Sequence, residues 1–202
     1  MAPCHRGPLG LWHRSTLPLW HRGPLALWLS WLGAFAAVSA QTDLFAASPT
    51  TKVLVFVARD CPISNGYAPA IQRLCRDYAA RGIRCTLVYE DREATPAAIR
   101  AHLLEYGYED IETLVDGDGR IARRAGATVT PEAVVVDMRG TIRYRGRIDN
   151  RYAALGKPRR HVTSHDLRDA VEAVLAKRTV QRPRTTALGC YITSERPGRE
   201  ER

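Results

Sequence analysis

The chain has 202 residues, of which 45% are apolar and 25% charged, with a formal net charge of +9. That is a normal globular mixture with enough apolar material for a packed core, and it excludes a wholly disordered chain. The length allows one ordinary domain with a targeting segment and a tail.

The first 40 residues differ from the rest. Residues 1–24 carry Arg6, Arg14 and Arg22 and no acidic side chain, and the 16 residues from Leu25 to Ala40 carry no charge. The run ends Val38-Ser39-Ala40. A basic start, an apolar stretch and small terminal residues predict a secretory signal peptide over 1–40, cleaved before Gln41. The apolar run is shorter than the ~20 residues that span a bilayer. If left uncleaved, the same segment would tether the protein to a membrane. His5-Arg6-Gly7-Pro8-Leu9 recurs as His21-Arg22-Gly23-Pro24-Leu25, a repeat to which no fold is assigned. No Arg-Arg pair precedes the apolar run, so export in the unfolded state, to the periplasm or medium of a bacterium, is expected.

Losing three arginines lowers the net charge from +9 to +6. The remaining positive charge is spread along the chain, which reads as solubility. No basic patch interleaved with aromatics predicts nucleic-acid binding. Export also bears on the cysteines: without Cys4, Cys61, Cys75, Cys85 and Cys190 remain. In an oxidising compartment these allow three pairings.

Residues 41–50 read as a linker. Thr51 to Ala58 is a nearly continuous apolar, β-branched run, as in a buried parallel strand. Pro62 suits the first position of a helix, where its missing N–H costs nothing. From there Tyr67, Ile71, Leu74, Cys75 and Tyr78 recur at helical spacing, and Gly82 ends the helix. Arg84–Tyr89 reads as a second strand. Thr95-Pro96 opens a helix to about Tyr106 with Ile99, Leu103 and Leu104 facing inward. Asp116-Gly117-Asp118-Gly119 is a turn rather than a calcium loop, because the remaining ligands and the terminal glutamate are missing. A short helix to Ala125 follows. After Thr130-Pro131, strands Ala133–Asp137 and Thr141–Ile148 form a hairpin around Met138-Arg139-Gly140. Thr163-Ser164-His165-Asp166 fits a capping box with Thr163 as N-cap. The helix it opens runs to about Lys177, its apolar face formed by Leu167, Ala170, Val171, Val174 and Leu175. Residues 179–202 are a polar tail broken by the apolar stretch Leu188–Ile192, which carries Cys190 and is expected to dock on the domain. The pattern predicts an α/β sandwich with parallel strands and an antiparallel edge.

Cys61 stands where a core strand feeds a helix, a position that faces the open C-terminal edge of the sheet and where peptide N–H groups and the helix dipole favour a thiolate. A thiolate is the form that attacks disulfides and peroxides. Strand–Cys61-Pro62-Ile63-Ser64-Asn65–helix, then Thr130-Pro131-Glu132 before a strand, then Tyr144-Arg145-Gly146-Arg147-Ile148-Asp149 and Gly189-Cys190-Tyr191-Ile192, resembles bacterial exported redoxin-domain proteins related to the AhpC/TSA and TlpA groups. The resemblance covers roughly residues 50–178 and implies a thioredoxin-like three-layer sandwich over a domain of residues 51–178, with a central mixed sheet and an antiparallel C-terminal hairpin. It further implies that Pro131 is a cis-proline facing Cys61 and that Thr130 offers backbone to a thiol partner.

Two departures stand out. The second cysteine of a dithiol thioredoxin is replaced by Ser64, which offers a hydrogen bond to the thiolate or a helix cap. The threonine and proline that precede a peroxiredoxin nucleophile by three and seven residues are replaced by Ala58 and Leu54. The expected site is therefore Cys61 as nucleophile and Cys190 as resolving thiol, with Pro62, Ser64, Thr130 and Pro131 shaping it. About 12 residues of tail, reaching up to ~40 Å, connect Cys190 to the preceding helix. The partner would be a thiol or disulfide, on a protein or a small molecule, with no cofactor and no resident metal. Cys75 and Cys85 read as core residues that a disulfide could join. Two other readings fit the same residues. One is a copper-delivery protein using Cys61 with His102, His161 or His165. The other is a docking module whose cysteine is vestigial.

Overall fold

The computed structural model describes residues 43–91 and 93–193. The expected signal peptide and its cleavage point before Gln41 lie outside the described residues. Among the described residues no helix is long and apolar enough to cross a membrane.

The elements in chain order are β1 (Thr51–Val57), α1 (Pro62–Gly66), α2 (Ala68–Ala79), β2 (Ile83–Tyr89), α3 (Pro96–Glu105), β3 (Glu112–Val115) and α4 (Arg120–Ala125), followed by β4 (Val129–Thr130), β5 (Glu132–Val136), β6 (Ile142–Gly146), β7 (Tyr152–Ala154), β8 (Lys157–Pro158), α5 (Asp166–Leu175) and β9 (Cys190–Tyr191). Five strands form one sheet in the order β3-β2-β1-β5-β6. β1 runs parallel to β2, and β2 to β3, whereas β5 is antiparallel to both β1 and β6. This is the expected mixed sheet, with the hairpin at its C-terminal edge.

β1 is central and buried along its whole length. Its alternation divides the core, because successive side chains of a strand point to opposite faces. Val53, Val55 and Val57 join Ile71, Leu74 and Tyr78 of α2 and Leu167, Ala170 and Val171 of α5. Leu54 and Phe56 join Ala122 and Ala125 of α4, with Leu44 from the segment before β1. That segment is tied down by the buried Lys52, whose Nζ donates to the carbonyls of Leu44 at 3.0 Å and Ala46 at 3.2 Å. Cys75 and Cys85 form a disulfide between α2 and β2, with Cα atoms 5.7 Å apart.

Local details depart from the sequence expectations. The first helix is two: it breaks at Tyr67 because Pro69 has no N–H to offer the preceding turn and its ring crowds that turn's carbonyl. β3 was not expected, since a four-residue edge strand with a leading glutamate gives little periodic signal. Leu104 does not face inward; it is 61% exposed, and His102 takes the buried place beside Ile99. Thr163 does not cap α5. It is engaged by Asn150, whose Nδ2 donates to Thr163 Oγ1 at 2.7 Å and whose Oδ1 accepts the Thr163 N–H at 2.9 Å. His165 is the N-cap, without a side-chain bond. Asp166, instead of reaching back to a cap, is buried against Arg147 at 2.7 Å and Arg182 at 2.9 Å, and accepts a hydrogen bond from Ser164 Oγ.

The tail beyond α5 packs on the domain. Val180 is buried in the core. The Arg145 N–H donates to Pro183 O at 3.0 Å, and the Thr185 N–H donates to Arg145 O at 3.1 Å. Thr185 Oγ1 lies 2.7 Å from the Tyr144 hydroxyl and accepts from the Arg147 N–H at 3.1 Å.

Burial pushes the Asp166 carboxyl up, but the hydrogen bonds from Arg147 and Ser164 and the charges of both arginines outweigh it and hold it below the ordinary value. Its stabilising contribution is therefore present above the unfolded pKa of about 4 and is lost as pH falls through the lower folded value. Asp166→Asn is expected to cost about 2–3 kcal/mol at pH 7, discounted for the partly exposed arginines. In urea denaturation the gap from wild type should close as the pH is lowered past 4.

Candidate functional site

Cys61 is the N-cap of α1, with φ −88° and ψ 107°, and Pro62 occupies the first helical position as expected. The loop from Ala58 to Cys61 is held by the Cys61 N–H donating to Ala58 O at 3.4 Å and by the Asn65 N–H donating to Cys61 O at 2.9 Å. Arg59 forms an ion pair with Asp91. A partly buried polar chain braces the loop from behind. Asn65 Nδ2 donates to Arg59 O at 2.8 Å, Asn65 Oδ1 lies 3.0 Å from His102 Nε2, and His102 Nδ1 lies 2.7 Å from the Tyr89 hydroxyl. Burial keeps the His102 pKa below the usual imidazole value, so the ring is neutral near pH 7. A neutral ring that donates from Nε2 to the amide oxygen accepts the Tyr89 proton at Nδ1. This brace escaped the sequence reading, in which His102 figured only as a metal candidate, because its members lie on three separate elements with no shared spacing.

The Thr130–Pro131 bond is cis. Cys61 Sγ donates to Thr130 O at 3.1 Å. Just beyond, Glu132 is buried and accepts the Thr128 N–H at 2.8 Å, which fixes the loop carrying Thr130. β9 pairs antiparallel with β4, so that Thr130 is opposite Cys190 and Val129 opposite Tyr191. The Ile192 N–H then donates to Thr128 O at 2.9 Å. Gly189 approaches so closely that a Cβ there would lie 1.9 Å from Thr130 O. The structure thus brings together all six residues singled out from the sequence.

Cys61 was expected to face the open edge of the sheet, but it is 0% exposed, whereas Cys190 above it is exposed and both thiols are free. Burial alone would raise the Cys61 pKa. Hydrogen bonds from the Cys190 thiol, the Ser64 and Cys190 N–H groups and the Thr130 hydroxyl outweigh it, and the net shift is downward. The Cys190 thiol is pushed up to about 11 by burial and by its hydrogen bond with Cys61, with further contributions from the Cys61 and Asp60 charges. Of the two sulfurs, Cys61 loses its proton first. The cause is specific hydrogen bonding more than a helix dipole, since α1 is only five residues long. Ser64 contributes through its backbone.

The histidines of the copper reading do not gather at this site. His102 is committed to Tyr89 and Asn65, and His161 and His165 are exposed ahead of α5. Among the described residues no three His, Cys, Asp or Glu side chains cluster as metal ligands do. Asp116–Gly119 is a turn, and Asp116 Oδ2 accepts the Ala122 N–H of α4 at 2.7 Å.

A mixed sheet carrying a cysteine at the end of its central strand, beside a cis-proline, defines a thioredoxin-fold redoxin. The chain belongs to the AhpC/TSA family, whose model matches residues 37–145, more than half of its length. Among solved structures it is similar to a hypothetical protein from Sinorhizobium meliloti 1021, at 28% identity and a TM-score of 0.63 over 76% of this chain and 84% of that one. It is also similar to an uncharacterized conserved protein from Geobacillus kaustophilus, at 25% identity and a TM-score of 0.64 over 76% and 82% of the two chains. No curated protein matches it.

The shared hydrogen bond gives a direct test. In Cys190→Ala, the midpoint of the pH dependence of Cys61 alkylation, localised by peptide mass mapping, is expected to rise toward the ordinary thiol value. An unmoved midpoint would show that Cys190 has no part in lowering it.

Proposed function

We propose that the protein is an exported thiol–disulfide oxidoreductase in which Cys61 attacks and Cys190 resolves. The observation that carries this reading is the pairing of β9 with β4, which sets Cys190 opposite Thr130, the residue whose carbonyl accepts from Cys61 Sγ. Family membership supports thiol chemistry, and the basic and apolar N-terminal segment supports export. The partner is a thiol or disulfide on a protein or a small molecule.

The Cys61 thiolate attacks one sulfur of a substrate disulfide, forming a mixed disulfide and expelling the other sulfur as a thiolate. Cys190 gives up its proton and attacks Cys61 Sγ, which releases the second substrate sulfur as a thiolate and leaves a Cys61–Cys190 disulfide. The substrate gains two electrons and the chain loses two. An external dithiol then reduces the Cys61–Cys190 bond, becoming a disulfide itself and closing the cycle. Ser64 prevents a local disulfide within the helix turn, so the tail supplies the second sulfur. The Cys75–Cys85 disulfide lies on other elements and keeps its bond throughout.

Peptide mapping of the protein after one turnover with a model disulfide is expected to show Cys61 linked to Cys190, with Cys75–Cys85 retained. In Cys190→Ser the Cys61–substrate mixed disulfide should accumulate instead. Finding Cys190 free in every oxidised molecule would sink the resolving role.

A further inference from the structure

The segment lying over Cys61 has the geometry of a bound peptide. The tail is clamped at Pro183 and Thr185 by Arg145, Tyr144 and Arg147. Past that clamp it runs as an extended strand along β4, with a cysteine at the reactive sulfur. Each position meets a different demand. At Gly189 any side chain would enter backbone, since a Cβ would lie 1.9 Å from Thr130 O, 2.6 Å from Thr130 C and 3.1 Å from Pro131 N. Backbone held by a strand pair cannot move aside as a flexible side chain can. At Tyr191 nothing is asked, for the residue is 82% exposed. Ile192 packs against the apolar cluster on the α4 face.

We propose that Gly189–Ile192 is an internal substrate mimic. The β4 edge then takes, in its place, an extended segment of another polypeptide whose disulfide-bonded cysteine is preceded by glycine and followed two positions later by an apolar residue. This inference rests on the thiol function proposed above and names the substrate class of that site. Main-chain pairing to Val129 and Thr130 supplies affinity, as in strand addition to a sheet edge, and the flanking positions supply selectivity. Cys61 attacks the sulfur of the incoming cysteine and expels its former partner as a thiolate. The returning tail then displaces the reduced peptide as Cys190 closes the disulfide. While the tail is seated, Cys61 is shielded.

The test uses the full chain carrying Cys190→Ser, so that the mixed disulfide persists, with the strap loosened at either end by Gly189→Val or Ile192→Asp. The probes are the peptide Leu-Gly-Cys-Tyr-Ile, its cysteine capped by a nitrothiobenzoate disulfide, and the same peptide with alanine for glycine. Release of the coloured thiolate is followed. Each loosened variant is expected to react with the glycine peptide at least about tenfold faster than Cys190→Ser alone. The alanine peptide should lag by at least about tenfold, the effect of a clash worth some 1.4 kcal/mol. Equal rates for the two peptides, or no acceleration in a loosened variant that stays folded by circular dichroism, overturn the inference. Gly189→Val and Ile192→Asp perturb different contacts, so misfolding of one leaves the other to decide. A loosened chain that is inert even toward the free nitrothiobenzoate disulfide refutes the reactivity of Cys61, and with it both this inference and the function beneath it.

Discussion

The contact between Gly189 and the Thr130 carbonyl governs the rest of the site. Because no Cβ intervenes, the tail lies close enough to pair with β4 and to seat Cys190 over Cys61. That pairing buries Cys61, and burial by itself disfavours a thiolate. The same strand brings the compensating donors, a thiol and an N–H from Cys190, which join the Ser64 N–H on the other side. The shielding of Cys61 and the lowering of its pKa thus have one origin. The Cys61 loop can accept the strand because it is braced from behind through Asn65, His102 and Tyr89, and because Glu132 fixes the Thr128–Thr130 backbone from below.

Much of this was legible in the sequence where one residue type has one physical use. The unbroken run at 51–58, Pro62 after Cys61 and Thr130-Pro131 before a buried strand located the centre of the sheet and the place of Cys61 at its end. The apolar stretch around Cys190 announced that the tail docks, because exposed apolar stretches in polar segments seek cover. What stayed hidden depends on distant partners. Thr163 and Asp166 form a plausible cap locally, yet Asn150, Arg147 and Arg182 claim them in three dimensions. Leu104 and His102 exchange roles because Tyr89 and Asn65 offer the imidazole two bonds that no spacing rule reports. β3 is half-buried and short, so its pattern was too weak to read. The expectation of an open cysteine failed for a related reason: it treated the strand-to-helix turn alone, without the strand that covers it.

The disposition of charge follows the same division between rim and centre. Most ion pairs, such as Arg81 with Glu172 and Arg168 with Asp77, lie on partly exposed surface, where they contribute little. Glu132, Asp149 and Asp166 are buried carboxylates, and that of Asp166 lies between Arg147 on the β6 side and Arg182 of the tail. It therefore ties the start of the tail to the sheet at a point remote from Cys61. The tail is held firmly at its root and by fewer bonds where it crosses Cys61.

The clamp at Thr185 also sets a tether length. Cys190 follows it by five residues, a span of at most ~17 Å of extended chain. A thiol on so short a leash stays in the neighbourhood of Cys61 even when its strand has let go, at an effective concentration on the order of millimolar. Free thiols in dilute surroundings compete poorly against such a neighbour. Under the proposed function, the return of this leash ends any mixed disulfide with a foreign chain, and it does so from within the molecule.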